Sequence, residues 1–305
     1  MAVYTRVTHA QLDKFIQNYN IGQVTGFEGI KDGIDNSNFL ITTTKGNFIL
    51  TLFESLSLEQ LPDYLELLIY LNSHKIACPS PVSNRQSIFL SSLNNKPAVI
   101  FKCLPGVAVK SPDILHCQAI GEQLAKIHVW SQNHHFPISN NRNLAWCEKT
   151  WTTIQPQLNQ IDYMLLQDEI DFQLSFSLPE MPEGLIHGDL FRDNAFFIDH
   201  KVSGILDFYN ACTDYWLLDI AITINDWCME NDKMNHKKIN SLLSGYEKIR
   251  PLMTNEKHNL TVFLRRAALR FWLSRLDHQL NPKQGQITQI KNPLTFKNIL
   301  LQHRR

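Results

Sequence analysis

His187, Asp189, Asp193 and Asn194 fall together in the stretch LIHGDLFRDNAFF, residues 185–197, with an apolar run on either side. The flanking GLI and AFFI read as short strands, so the polar residues sit on a loop held at both ends. An aspartate so placed can accept the proton of a substrate hydroxyl. An asparagine five residues further on can offer a neutral oxygen to a hard cation. A later strand-like segment, VSGILDFYNA (202–211), carries Asp207, whose carboxylate would complete a Mg²⁺ site with Asn194. Mg²⁺ takes one or two protein carboxylates and fills its other positions with phosphate oxygens and water. Positioning, charge neutralisation and an oriented hydroxyl are what phosphoryl transfer asks of a protein.

The spacing matches the catalytic loop of protein kinases, where His-Arg-Asp is followed after four residues by Asn, and a metal-holding Asp comes one strand later. Asp189, Asn194 and Asp207 reproduce it. Gly188 stands where that loop has Arg, and no Asp-Phe-Gly…Ala-Pro-Glu segment follows, so the pattern points to a small-molecule kinase rather than a protein kinase. A lone His-x-Asp is more often a turn or a cap; the whole set, flanked by strands, is not so explained. His187 reads as a hydrogen-bonding support of the loop rather than a catalytic acid.

These residues need a scaffold, and 305 residues with 44% hydrophobic content are enough for one large domain or two lobes. Lys plus Arg and Asp plus Glu are 29 each, so no chain-wide charge favours nucleic acid or an anionic membrane. Six scattered cysteines form neither a zinc pattern nor a disulfide framework. The N-terminal residues lack a signal-peptide pattern and no run of about 20 apolar residues occurs, which together suggest a cytoplasmic protein.

Residues 8–19 read as a short helix with Thr8 as cap and Leu12, Phe15, Ile16 and Tyr19 on one face. Strands are expected at 37–44 and 46–54 around a Lys45-Gly46 turn, then a helix over 58–75 with Pro62 in its first turn. QSIFLSS (86–92) and KPAVIFKCL read as two more strands. From about residue 105 helical periodicity takes over, at 113–130, 146–177, 214–230, 236–249, 254–280 and near the C-terminus. The expected fold is α+β: a small antiparallel sheet lobe over 1–103 that binds nucleotide, and a larger, mainly helical lobe over 104–305 that carries catalysis and acceptor binding.

HGDLFRDN, GILDFYNACTDYWLLDIAITINDWC and LRFWLSRL resemble the bacterial homoserine kinases of the aminoglycoside-phosphotransferase-like, or choline-kinase-like, superfamily. GIDNSNF, FILTLFE, LPDYLELL, KPAVIF and HCQAIGEQLAKIH extend the likeness along the chain. The resemblance implies a protein-kinase-like bilobal fold with a five-stranded sheet lobe. It implies transfer of the ATP γ-phosphoryl group to L-homoserine, a step of threonine biosynthesis. Asp189 would act on the homoserine hydroxyl, Asn194 and Asp207 would bind Mg²⁺, and Asp219 would brace the catalytic loop with His187. ATP and L-homoserine are then the partners, with no nucleic acid and no membrane.

On the nucleotide side, GIKDGIDNSNF (29–39) occupies the place of a phosphate-covering loop, with Gly33 permitting a turn and Ser37 and Asn38 offering hydrogen bonds. Thr51 stands where kinases carry the third-strand lysine, and Lys31 and Lys45 are the candidate substitutes. Backbone groups from Phe101 to Leu104 are expected at the adenine edge. For the acceptor, Arg192 and Arg270 are candidate carboxylate ligands, with a structural ion pair as the other reading of each. Asp226 is a candidate for the ammonium, Tyr209 and Asn210 for the pocket lining, and Asp214 for a helix cap. Two other functions remain open: a kinase for choline, methylthioribose or an aminoglycoside, or a nucleotide-binding protein without turnover, which Thr51 would favour.

Overall fold

The computed structural model describes residues 5–30, 36–54, 56, 58–132, 136, 138–282 and 291–305. The chain divides into two compact units at Pro105/Gly106. In the first, helix α1 (His9–Ile16) is closed by a Thr8–Gln11 capping box and buries Leu12, Phe15 and Ile16. An antiparallel sheet follows, built from β1 (Val24–Gly29), β2 (Asn36–Thr43), β3 (Gly46–Phe53), β4 (Pro81–Val82), β5 (Ser91–Leu93) and β6 (Lys96–Lys102). Its order is β1-β2-β3-β6-β4, and β5 also pairs with β6, one strand more than the five expected. Thr43 pairs with Gly46, so the hairpin turn is Thr44-Lys45. Helix α2 (Leu61–Ser73) has its proline at the start, where a missing N–H costs nothing. Ile41, Leu50, Ile100 and the α1 residues share one core.

Only Ser91–Leu93 of the QSIFLSS region becomes strand. Asn84 Oδ1 accepts from the N–H groups of Gln86 and Ile88 at 2.9 and 3.0 Å, which curls the chain into a turn there and leaves Ile88 exposed.

The second unit contains β7 (Val107–Ala108), α3 (Ile114–Ser131), α4 (Leu144–Ile154), α5 (Gln160–Ser175), β8 (Glu183–Ile186), β9 (Ala195–Ile198), β10 (Lys201–Ile205), β11 (Cys212–Tyr215), α6 (Trp216–Trp227), α7 (His236–Glu247), α8 (Thr254–Leu280) and α9 (Leu294–His303). The helix expected over 146–177 is two helices, because Pro156 sits in a 3-10 turn (Gln155–Gln157) and Asn159 caps a fresh start. The helix expected from 214 starts at Trp216, because residues 212–215 pair with β8 as a strand. Asp214 therefore does not cap it; its carboxylate accepts from Asn140 Nδ2 and from the Tyr215 N–H.

Helices α3 and α7 cross at unusually close range. A Cβ on Gly121 would lie 2.1 Å from the Leu242 carbonyl oxygen, and one on Gly245 would lie 2.0 Å from that of Gln118. Glycine at both positions lets the two backbones touch. Among the described residues, no helix is long and apolar enough to cross a membrane.

Candidate active site

The loop foreseen at 187–194 leaves β8, makes one 3-10 turn over Arg192–Asn194 and enters β9. β9 pairs antiparallel with β10, Ala195 opposite Ile205, and the Leu206 N–H donates to the Asn194 carbonyl at 2.8 Å. Asn194 and Asp207 thus sit at the same end of one hairpin. Asp207 takes the left-handed conformation (φ 58°, ψ 51°) and leads a second 3-10 turn, Phe208–Asn210. Gly188 also has positive φ (75°), and a Cβ there would stand 2.6 Å from the Asn210 carbonyl oxygen. The 188 and 210 segments therefore touch, and Asn210 Nδ2 reaches Asp189 Oδ2 at 3.4 Å.

Asp189 is half-buried, and desolvation pushes its carboxyl up to about 7 against the opposing charges of Arg270 and Lys291; Asp207 and Asp193 push the same way as burial. A carboxyl of raised basicity is suited to receive a proton. Asn194 is buried and donates Nδ2 to the Asp189 carbonyl at 2.9 Å, which leaves Oδ1 as its metal-facing candidate atom. One amide oxygen and one exposed carboxylate, Asp207, form a donor set that fits Mg²⁺ arriving with phosphates.

Helix α6 holds this loop from beneath at three points. Asp219 is fully buried and accepts from the N–H groups of His187 (2.7 Å) and Gly188 (2.9 Å) and from His128 Nε2 (3.1 Å). Burial alone would raise its carboxyl, but the hydrogen bond from His128 and the His187 N–H outweigh it, and the pKa lies below the usual range. Trp227 Nε1 donates to the Leu190 carbonyl at 3.0 Å, and Asp226 accepts from the Arg192 N–H at 2.8 Å. Positions 219, 226 and 227 are seven and eight residues apart, two helical turns, so one helix face serves successive loop residues. His187 is buried, donates Nε2–H to the Leu206 carbonyl at 2.8 Å and accepts the Asp189 N–H on Nδ1 at 3.2 Å. Desolvation lowers its pKa, and the ring stays neutral.

The four acceptor candidates have different surroundings. Arg192 and Asp226 bind each other, through Nε at 3.0 Å and Nη2 at 3.3 Å, and Arg192 Nη1 also reaches the Lys110 carbonyl. They form a strut under the turn that carries Asn194. Tyr209 is half-buried in the turn after Asp207. Arg270 lies on α8 with only 5% exposure, its Nη1 is buried without a hydrogen-bond partner among the described residues, and its charge acts on Asp189.

In the first unit, Ser37 is buried and its hydroxyl donates to Glu54 at 2.6 Å while accepting from the Thr5 N–H. Asn38 is opposite Thr51 in the β2–β3 register, and Thr51 Oγ1 donates to Asn38 Oδ1 at 2.7 Å. The third-strand lysine position is thus a neutral hydroxyl–amide pair. Lys45 Nζ donates to Asn20 Oδ1 at 2.6 Å; Gly33 and Lys31 lie outside the described residues. Phe101 is inside the sheet, opposite Ile49 and Pro81, and the strand ends at Lys102; the Cys103 N–H still donates to the Asn47 carbonyl at 3.3 Å, so Leu104 is the first residue past the ladder.

Sequence reasoning did not single out His128, which links Asp219 to Tyr246 Oη (2.8 Å from Nδ1), or the Lys291–Asp193 ion pair at 2.9 Å. These partners are distant in the chain, and no local spacing signals them.

Residues 26–252 match the phosphotransferase enzyme family. The chain is 39% identical over 301 residues to the homoserine kinase of Methylobacillus flagellatus, covering 98% of this chain and 94% of that protein. It is 41% identical over 309 residues to the homoserine kinase of Xanthobacter autotrophicus, covering 99% and 96%. The crystal structure of a spectinomycin phosphotransferase in complex with ADP and spectinomycin superimposes with a TM-score of 0.74 at 13% identity, covering 98% of each chain. The fold is the kinase-like α+β fold, with the antiparallel sheet in the N-terminal unit and helices dominating the C-terminal one. The chain belongs to the phosphotransferase enzyme family, in the branch that holds the homoserine kinases.

Proposed function

We propose that the chain transfers the γ-phosphoryl group of ATP to the side-chain hydroxyl of L-homoserine, releasing ADP and O-phospho-L-homoserine, the step that serves threonine biosynthesis. The observation that carries this reading is the Asp189–Asn194–Asp207 constellation on a loop and hairpin braced by α6, in a chain similar to homoserine kinases along its length. Asp189 accepts the hydroxyl proton as the oxygen bonds to phosphorus and the bond to the ADP oxygen breaks. Asn194 and Asp207 would hold Mg²⁺, which when bound neutralises phosphate charge. Asp219 keeps the loop in place, and the buried His187 ring ties the Asp189 backbone to Leu206, the residue before Asp207. Asn210 steadies the outer oxygen of Asp189. Arg270 takes the homoserine carboxylate, supported by its buried, unpartnered Nη1 and its electrostatic influence on Asp189. Arg192 and Asp226, bound to each other, act as a positioning pair rather than as zwitterion ligands. The nucleotide contacts fall to Asn38 and to backbone around Leu104. Five of the six free cysteines are buried, which suits a reducing cytoplasm.

The test is ADP release with Mg-ATP and L-homoserine, L-serine, choline, methylthioribose or kanamycin, with Asp189→Ala as control. Selective turnover of homoserine that vanishes in the variant is the expected result. Turnover of a different acceptor retires the homoserine assignment. Tight Mg-ATP binding with no turnover of any acceptor moves the chain to the non-catalytic reading that the Thr51–Asn38 pair would explain.

A further inference from the structure

We propose that Asp113, His116 and His200 form a second cation site, away from the phosphoryl-transfer centre, that takes a borderline divalent metal of the zinc class. One ligand atom from each residue can be chosen so that all three lie within 4.8 Å of one another. Asp113 is the N-cap of α3, and its Oδ1 accepts from the Leu115 and His116 N–H groups at 2.9 and 3.0 Å. His116 lies in the first turn of α3, and His200 lies in the turn between β9 and β10.

The imidazole of His116 is oriented on both sides. Nε2 is 3.2 Å from the Asp199 carbonyl, and with the ring proton on that nitrogen the lone pair belongs to Nδ1. The Asp113 N–H points at that same Nδ1 from 3.4 Å. The ring is also held edge-on to Phe197, with centroids 5.1 Å apart. A carbonyl partner on the far nitrogen is how metal-ligating histidines are fixed. In this tautomer the Nδ1 lone pair faces Asp113 Oδ1 at only 2.7 Å. That separation is a hydrogen-bond distance, and a metal ion bound about 2.0 Å from each atom would move the two slightly apart. A proton would serve this pair alone. A metal ion also uses His200, whose Nε2 is 3.0 Å from Asp113 Oδ2 and whose ring lies 4.5 Å from that of His116.

Two imidazoles and a carboxylate suit Zn²⁺ and its neighbours rather than Mg²⁺ or Ca²⁺, which prefer oxygen. Side-chain exposures of 52% for Asp113 and 47% for His200 leave room for a water as fourth ligand. The Asp113 carboxylate stands between the positive end of α3 and the ion, and so offsets the helix dipole. Occupancy would tie the start of α3 to the turn of the β9–β10 hairpin, whose opposite end carries Asn194 and Asp207. The strands are four and five residues long, so the two cation sites lie roughly 13 Å apart along the hairpin.

The experiment is titration of the full chain with Zn²⁺, and with Co²⁺ for its visible absorption, in excess Mg²⁺. It is run on wild type, His200→Ala and His116→Gln, the glutamine keeping a side chain able to close the helix cap. Kinase activity with Mg-ATP, unchanged in both variants, certifies that they are folded. Expected is a Zn²⁺ affinity in the micromolar range, a rise in Tm, and at least a roughly tenfold weaker affinity in either variant. Affinity equal in all three proteins places the ion elsewhere and overturns the proposal. So does the absence of any Zn²⁺-dependent change up to about 1 mM, which leaves a proton as the bridge between His116 and Asp113.

Discussion

Arg270→Met separates substrate recognition from stability because the structure predicts opposite signs for the two. The guanidinium has 5% exposure, and its buried Nη1 has no partner among the described residues. In the free enzyme that is a cost, since a desolvated donor is left unpaired. Methionine fills the volume of the stem without the charge, and such replacements are often neutral or stabilising. The expected change is about 1 kcal/mol of added stability, a rise in Tm of roughly 2–4 °C. Under the proposed assignment the same guanidinium pairs with the homoserine carboxylate, and removing one partner of a desolvated charge pair costs about 3 kcal/mol, roughly a 150-fold loss in kcat/KM. The assay pairs L-homoserine with 3-amino-1-propanol, which is homoserine without its carboxylate. Wild type should strongly prefer homoserine, and Arg270→Met should lose most of that preference while its turnover of the amino alcohol changes less than about threefold. Arg270→Lys keeps the charge but not the planar fork and should fall between. Equal losses on both substrates, or a variant less stable by about 2 kcal/mol or more, would refute the assignment and make Arg270 a structural cation.

Other consequences are as direct. Asp219→Asn removes an acceptor facing two N–H groups and His128; it should cost about 3–5 kcal/mol in urea unfolding and lower kcat more than it changes the KM for ATP. Gly121→Ala drives a methyl into the Leu242 carbonyl, so unfolding should become easier by about 3 kcal/mol, with KM values unchanged in the folded fraction. Asp189→Asn should retain the wild-type Tm and Mg-ATP affinity while kcat falls by roughly 10²–10⁴. Desolvation lowers the pKa of His303 to about 4, so the unfolded chain takes up a proton below pH ~6.5 that the folded chain refuses. Stability should therefore drop by about 3 kcal/mol between pH 6.5 and 4, with His128 and His187 adding in the same direction; urea midpoints across that range measure it, and His303→Gln should flatten the slope by about one proton.

Much of this arrangement was readable from local pattern. The 187–194 loop stood out because polar residues interrupt two apolar strands, and α8 ran over Thr254–Leu280 as its periodicity indicates. The faces of α1 and the β2–β3 hairpin followed from local composition too. What local pattern left out depended on distant pairing. Asp214 and Tyr215 read as a helix start and become part of strand β11 only because Glu183–Ile186 lies beside them. Arg192 and Asp226, 34 residues apart, read as separate candidates, and only the turn shows that they pair with each other. The Thr51 partner of Asn38 comes from strand register, which no local pattern shows.

The placement of α6 explains why the catalytic loop can carry a carboxyl of raised pKa without collapsing. Asp189 is half-buried near Asp207 and Asp193, an arrangement that repels itself. A loop held only by its flanking strands would relax by turning Asp189 outward. Here the backbone on either side of Asp189 is fastened from α6: Gly188 through Asp219 and Leu190 through Trp227. Asp219 remains ionised in the interior because backbone N–H groups and His128 compensate its burial, and Tyr246 in turn orients His128. The stress at the Asp189 carboxyl is thus borne by a helix whose own 11 buried residues anchor it in the core. Loosening that helix should reduce kcat before it unfolds the protein, since small displacements of a positioned base cost rate directly.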